Sequence, residues 1–357
     1  MTFREWNNRK NNWLRAQKGE WAAKLLGRAP MSDAYNPQKV QKILLLRNDN
    51  KLGDALVSSV LLRGLKALFP TADIDVVAGK SNATILRNNP AVSTLYFATE
   101  GLASLISCGL KLRGKQYDLY LDLDEKPTLA SLAFLKVLQP RWSFGFNRQQ
   151  YPLYNLTTTM DLSVCHITAR YEACLRFLGY QGKLDTSYEI KLSESAKVAA
   201  GQFLSTLQWG GGRLIVVNPL AASRHRSFSA EQIFGLATVF PNDTFVLLGQ
   251  ESKLRKWLNG RALLPRMVTF TSGIFESAVL AQQANVLLTP DTFWVHLACA
   301  LHISTVAVYQ GKEEFPYKGN IAVWRPLDPA VKMLLWPGEQ KDVPVYMLAQ
   351  ALQEKLN

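Results

Sequence analysis

The feature that most constrains this chain is an alternation met twice along it. Short apolar runs that read as buried strands take turns with stretches of helical spacing, and the connections are brief. After Pro37, KILLLRN (42–48) reads as a strand, and DALVSSVLLRGLKALF (54–69) keeps helical spacing up to the stop at Pro70. IDVVAG (74–79), TLYFAT (94–99) and YDLYLDLD (117–124) follow as strands, with helices around Ile85 and Leu86 and at SLISCGLKL (104–112). The rhythm breaks over 139–162, rich in Pro, Arg and aromatics, and a helix follows at HITARYEACLRFLG (166–179).

Residues 181–196 read as a linker, after which the alternation restarts. A helix over 194–208 and a Gly210-Gly211-Gly212 turn lead to the strands RLIVVNP, TFVLLG, MVTFT, NVLLTP and STVAVYQG, with helices between them. This order predicts an α/β fold in which parallel strands are joined by right-handed crossovers into a doubly wound sheet in each half. The expected divisions are an extension over 1–38, an N-terminal Rossmann-like domain over 39–185, a C-terminal one over 186–340, and a C-terminal helix over 341–357 that packs back on the first domain. Two domains also suit 357 residues. Ligands of such sheets bind outside the carboxyl ends of the strands, so the expected site is the cleft between the halves.

Charge narrows the partners. Forty-one Lys and Arg against 28 Asp and Glu give +13, which favours anionic partners: nucleic acid, acidic membrane or phosphorylated substrates. No nucleic-acid module appears in the α/β halves, so nucleic acid is not expected. Cys108, Cys165, Cys174 and Cys299 form no metal-spaced pattern and are expected as free thiols in the cytosol. No apolar run approaches the ~18 residues of a membrane span. Residues 1–30 carry seven Lys/Arg and interleave Phe3, Trp6, Trp13, Trp21 and Leu25 on about a third of a helix circumference. That segment is either an interfacial helix on an anionic membrane or a helix packed on its own protein.

Several motifs carry little. GLKLRGKQ (109–116) matches half of a phosphate loop, but Gln116 replaces Ser/Thr and a strand follows. No GxGxxG follows the first strand of either half. Asp122-Leu123-Asp124 looks like a metal-binding pair, but with nothing nearby to complete an oxygen site it is read as a solvated strand end. His166 and His302 are read as surface or helix-end histidines.

Three strand-to-helix junctions remain. In LGDALVSS, Gly53 permits a tight backbone path, and Asp54 at the helix start is either an N-cap or a base. In NPLAASRHRSFSAEQ, Ser223, Arg224, His225 and Arg226 precede a helix, which suits either a diphosphate or a solvated basic loop. In TPDTFWVHLACA, Asp291 and Thr292 open a helix with His296 one turn in. Asp291 is a cap or a site residue, and His296 is packed or faces phosphate.

Together these junctions resemble glycosyltransferase family 9, the ADP-heptose:lipopolysaccharide heptosyltransferases. The resemblance covers about residues 40 to 311. It runs through LGDALVSS, FPTADIDVVAG, NNPAVSTLYF, YDLYLDLD, WSFGFNRQ, RYEACLRFLG, VVNPLAASRHRSFSAEQ, VLLGQES and ANVLLTPDTFWVHLACALHISTVAVYQG. It implies a GT-B fold, two Rossmann-like doubly wound domains facing across a cleft, and an inverting, metal-independent enzyme. That enzyme would move heptose from ADP-heptose to the inner core of lipopolysaccharide, with no cofactor beyond the donor. Asp54 matches the general base, Arg226 the phosphate-binding lysine and Ser223 a donor-contacting position, with Asp291, Thr292 and His296 at the same donor group. Glu251 is a further candidate for the donor and Lys126 for the acceptor. The glycolipid acceptor implies a protein at the cytoplasmic face of the bacterial inner membrane. Two positions depart from the family: Phe293 stands where it has Gly, and Arg226 where it has Lys. Phe293 leaves open a GT-B transferase using another nucleotide sugar, and a non-catalytic glycolipid-binding homologue is the other alternative.

Overall fold

A computed structural model describes residues 27, 33–207, 212–312, 317 and 319–357. The N-terminal apolar set Phe3, Trp6, Trp13, Trp21 and Leu25 lies outside them, as do Gly210 and Gly211 of the expected glycine turn. The chain divides into two units between Thr186 and Ser187.

The first unit runs β1 (Lys42–Arg47), α1 (Leu52–Val57), α2 (Ser59–Leu68), β2 (Asp73–Ala78), α3 (Ala83–Leu86), β3 (Thr94–Phe97) and α4 (Leu102–Arg113). It continues with β4 (Leu119–Asp122), α5 (Leu129–Leu138), β5 (Trp142–Phe146), β6 (Leu156–Thr158) and α6 (Ile167–Phe177). All six strands pair in parallel in the order β3-β2-β1-β4-β5-β6. The apolar runs of β1 and β2 are buried after their first residue because helices cover both faces of a parallel sheet.

The second unit repeats the plan with α7 (Glu194–Thr206), β7 (Leu214–Val217), α8 (Ala230–Val239), β8 (Thr244–Leu248), α9 (Glu251–Leu258), β9 (Met267–Phe270) and α10 (Ile274–Gln282). Then come β10 (Val286–Pro290), α11 (Phe293–Leu301), β11 (Thr305–Gln310), α12 (Gly319–Trp324), β12 (Val331–Trp336) and α13 (Val345–Leu356). Its order, β12-β11-β10-β7-β8-β9, is again all parallel. Counted from its own first strand, each sheet reads 3-2-1-4-5-6, the order of a Rossmann sheet. The doubly wound reading therefore holds in both halves. The C-terminal helix α13 buries Leu348, Ala351 and Leu352 and packs on α8 and on β10 to β12.

Two local readings change. The expected helix over 54–69 is two helices, broken at Ser58, whose hydroxyl donates to the Ala55 carbonyl at 2.6 Å. The stretch 139–162, where the rhythm fails, contains β5 and β6. All five residues of WSFGF are buried, so no alternation marks the strand. Helix α5, before it, starts with a capping box between Thr128 and Ser131. Residues 33–40 are tied to this unit: Asp33 pairs with Arg141 and Lys39, and its carbonyl accepts from the Trp142 indole at 3.1 Å. The four cysteines are free.

Candidate active site

In a sheet of this order the crevice opens at the carboxyl ends of the two strands where the winding reverses. Those are β1 and β4 in the first unit and β7 and β10 in the second. Asp54 follows β1, and Asp122 ends β4 with Asp124 and Lys126 just beyond it; Ser223 and Arg226 follow β7, and Asp291, Thr292 and His296 follow β10. Glu251 follows β8, one strand away from the reversal.

The first group is built on a braced loop. After Arg47 the chain turns through Asn50, which takes the left-handed conformation at φ 56°. The tight backbone path expected at Gly53 is therefore taken at Asn50, and Gly53 is an ordinary helical residue of α1. Gly79 gives the Asn50 amide its room, because a Cβ there would meet the Asn50 Oδ1 at 2.4 Å and displace it. Asn82, fully buried, donates from its amide to the Arg47 carbonyl and, at 3.0 Å, to Asp49 Oδ1. The Asn48 amide donates to the Thr99 carbonyl at 3.1 Å.

Asp54 stands just beyond this braced loop, in the first turn of α1. The N-cap of α1 is Lys51, so Asp54 stands three residues inside the helix and is not its cap. Its side chain is 15% exposed, and its Oδ2 lies 3.5 Å from Arg47 Nη2 and 3.6 Å from Lys51 Nζ. Burial pushes the carboxyl above its usual range, Arg47 and Lys51 pull it down, and Asp49 adds to the rise. The result is a carboxylate more basic than a surface one, with a fixed cation beside it that favours its charged form. A proton acceptor needs both properties.

Of the Asp122–Asp124 pair, read as a solvated strand end, Asp124 is exposed as expected and Asp122 is not. Asp122 is buried at 1% exposure and accepts a hydrogen bond from the Tyr154 hydroxyl. The Asp124 side chain is 51% exposed, with its Oδ1 3.7 Å from Arg47 Nη1. Arg148, also buried, donates to the carbonyls of Asp124 and, at 3.1 Å, Glu125. It thereby fixes the loop on which Lys126 stands exposed. Among the described residues, no group of three or more His, Cys, Asp or Glu is arranged to hold a metal ion. His166 caps α6 and His302 ends α11, as helix-end histidines.

The second group is tied together by short polar links. Ser223 opens a 3₁₀ turn over Arg224–Arg226, and Arg226 Nε donates to its hydroxyl at 3.2 Å. Arg226 Nη1 also reaches the Asp291 carbonyl at 3.4 Å and the Asp291 carboxylate at 3.6 Å. Burial raises the Asp291 carboxyl, while Arg226 and the Asn320 amide, at 2.8 Å, lower it. Thr292 is the N-cap of α11, accepting from the Trp294 N–H at 3.3 Å. Asn218, at the end of β7, donates to Thr289 and Thr292 at 3.0 and 3.3 Å and so links the two strands at the reversal. Ser223, Arg226, Asp291 and Thr292 thus form one group. A guanidinium beside a helix start suits a diphosphate.

The two other donor candidates make different contacts. His296, 6% exposed, sits between the rings of Tyr188 and Trp324, at centroid distances of 5.9 and 5.8 Å. Glu251, at the exposed start of α9, pairs with Arg255 at 2.7 Å. Phe293 is the first residue of α11 and is half-buried with its ring 6.2 Å from that of Trp294; its backbone is not left-handed, so a side chain costs no strain there. Sequence reasoning missed Arg47, Asn82, Asn218 and Asn320. Only Arg47 left a signal, a charge closing an otherwise apolar strand.

Comparison with known proteins adds an independent line. No protein-family model matches the chain. It is 24% identical over 298 residues, 82% of its length and 80% of the relative's, to an Escherichia coli (strain K12) protein described as "Putative lipopolysaccharide heptosyltransferase 4". In fold it is similar to a glycosyl transferase family 9 structure from Veillonella parvula, with a TM-score of 0.74, 17% identity, and coverage of 88% of this chain and 97% of that one. It is likewise similar to the E. coli ADP-heptose lps heptosyltransferase II, with a TM-score of 0.70, 20% identity, and coverage of 88% and 98%. Those two likenesses bear on the fold, and they bear out the GT-B class. Motif order, curated relative and fold agree: the chain resembles the heptosyltransferases of glycosyltransferase family 9, as its junction motifs implied.

Proposed function

We propose that this chain is an inverting, metal-independent glycosyltransferase that moves heptose from ADP-heptose to a hydroxyl of the lipopolysaccharide inner core. The observation that carries the proposal is Asp54, a mostly buried carboxylate at the winding reversal that is not spent as a helix cap and has a guanidinium 3.5 Å away.

Asp54 takes the proton of the acceptor hydroxyl as that oxygen attacks the anomeric carbon from the face opposite the nucleotide. The bond from that carbon to the diphosphate breaks, and its electrons leave with ADP. Arg226, oriented by Ser223 and Asp291, and the start of α11 at Thr292 stabilise the charge growing on the leaving group. His296 supports that helix start, Glu251 contacts the donor from α9, and Lys126 contacts the acceptor.

The acceptor is an anionic glycolipid. The chain's excess of 41 basic over 28 acidic residues supports a place at the cytoplasmic face of a bacterial inner membrane. Among the described residues no helix is long and apolar enough to cross a membrane. One observation favours a second reading, another nucleotide sugar as donor: Phe293 adds a bulky ring where the family has none.

A donor panel tests the choice. Purified protein is given ADP-heptose or UDP- and GDP-sugars with core-truncated lipopolysaccharide. Transfer from ADP-heptose alone is expected; transfer from a UDP- or GDP-sugar with none from ADP-heptose would replace this reading by the second.

A further inference from the structure

We infer that Arg47 is the positioning residue of the reaction, holding the Asp54 carboxylate ionised and in place for proton abstraction. This inference rests on the glycosyl-transfer reading above and extends it to a side chain that the family motifs do not mark.

The Arg47 side chain is 8% exposed and its guanidinium lies against three carboxylates at once. Nη2 lies 3.5 Å from Asp54 Oδ2, while Nη1 lies 3.6 Å from Asp49 Oδ2 and 3.7 Å from Asp124 Oδ1. A planar fork suits this division of labour, and a lysine ammonium would have to choose. The main chain beneath it is fixed as well, because the Arg47 carbonyl and Asp49 Oδ1 are held by the same Asn82 amide.

Stability is a poor explanation for this arrangement. Withdrawing a guanidinium from water costs several kcal/mol and is offset only by excellent hydrogen-bond geometry. Here the three contacts are ion pairs at 3.5 to 3.7 Å, and the buried Nε has no hydrogen-bond partner among the described residues. An apolar side chain would fill the end of β1 more cheaply. What the guanidinium supplies is a cation that stays charged at every working pH beside a carboxylate that burial would otherwise neutralise.

The other groups facing Asp54 do not replace it. Lys51 Nζ is 3.6 Å away, but that side chain is 66% exposed and its field is screened. Asp49 opposes ionisation, as does any negative charge on the buried Tyr171 phenol, which burial pushes up to about 12 and so keeps neutral. Helix α3, packed on α1, has the sequence ATIL and carries no titratable side chain.

The arrangement also suits the second half of the step. As the acceptor O–H bond breaks, its proton goes to an Asp54 oxygen and its electron pair forms the new glycosidic bond. Asp54 is then neutral, and Asp49, 19% exposed, still balances Arg47, so the protonated state leaves no buried cation alone.

The test compares Arg47→Gln and Arg47→Lys with the native enzyme in the pH dependence of kcat at saturating donor, with calorimetric ADP binding alongside. In the native enzyme kcat rises with pH as Asp54 ionises. Removing the cation in Arg47→Gln is expected to move that acid limb up by about one to three pH units, the usual effect of one opposite charge at this range. A fall in kcat of about tenfold or more at neutral pH is expected with it, and an unchanged Kd for ADP. Arg47→Lys keeps the charge but not the fork, so it should shift the limb less and recover part of kcat. If Arg47→Gln does not fold, Arg47→Lys decides alone: an upward shift with lower kcat supports the inference, and a native limb and kcat overturn it. Asp54→Asn separates the two levels. Loss of transfer in Asp54→Asn with native behaviour of both Arg47 variants would sink this inference alone; full transfer by Asp54→Asn would sink the reading it rests on.

Discussion

Arg226 Nη1 stands 3.6 Å from the Asp291 carboxylate and 3.4 Å from the Asp291 carbonyl, so a cation from the loop after β7 is held by the residue that precedes the start of α11. The side chain remains 34% exposed, with donors left for a ligand.

Arg226→Ala should therefore weaken ADP binding by about ten- to a hundredfold, the value of one charged hydrogen-bonding group at roughly 1.5 to 3 kcal/mol. Arg226→Lys keeps the charge but loses the fork and should fall between the two. Titration calorimetry with ADP reads both. Native affinity in Arg226→Ala would move the diphosphate elsewhere.

Asp291 makes a prediction about stability and pH. Burial raises its folded-state pKa above the unfolded carboxylate value of about 3.9, so its neutral form is the one the fold favours. The folded state binds the proton more tightly. Its contribution is thus fully present below about pH 3.9 and is lost as pH rises through the raised folded value. Asp291→Asn should lack that decline and melt no lower than the native protein at neutral pH, while binding ADP more weakly because Arg226 loses its anchor. Thermal melts across pH 4 to 8 check the first part. A variant that melts much lower at neutral pH would show that the Arg226 pair outweighs burial.

Asn82 ties the loop under the base. Asn82→Ala leaves the Arg47 carbonyl and Asp49 without their buried donor, at a cost of about 1 to 3 kcal/mol. Denaturant unfolding should show that loss as a lower midpoint at unchanged slope, and kcat should fall more than the Kd for ADP rises. Native kcat in a destabilised variant would separate the bracing from the chemistry.

Much of this was legible in the sequence because parallel strands buried on both faces leave continuous apolar runs, as in KILLLRN and NVLLTP. The junctions behind those runs marked Asp54, Arg226 and Asp291. WSFGF was not legible as a strand: it is buried throughout and sits among Pro and Arg, so neither period shows. Nor was the role of Asp122, which depends on Tyr154, 32 residues further on. The same distance effect hid Asn82, which reaches back 35 residues to Arg47, and Asn320, which reaches 29 to Asp291. Spacing decided only what one turn or one junction can bring together.

The most direct test of the account is the rate of heptose transfer from ADP-heptose by Asp54→Asn, measured beside its ADP affinity. Asparagine keeps the shape of the side chain and removes the proton acceptor. The account expects kcat to fall by about a hundredfold to ten-thousandfold while the Kd for ADP stays native. A variant that transfers heptose at the native rate would contradict it, and would leave the carboxylate after β1 as a structural partner of Arg47.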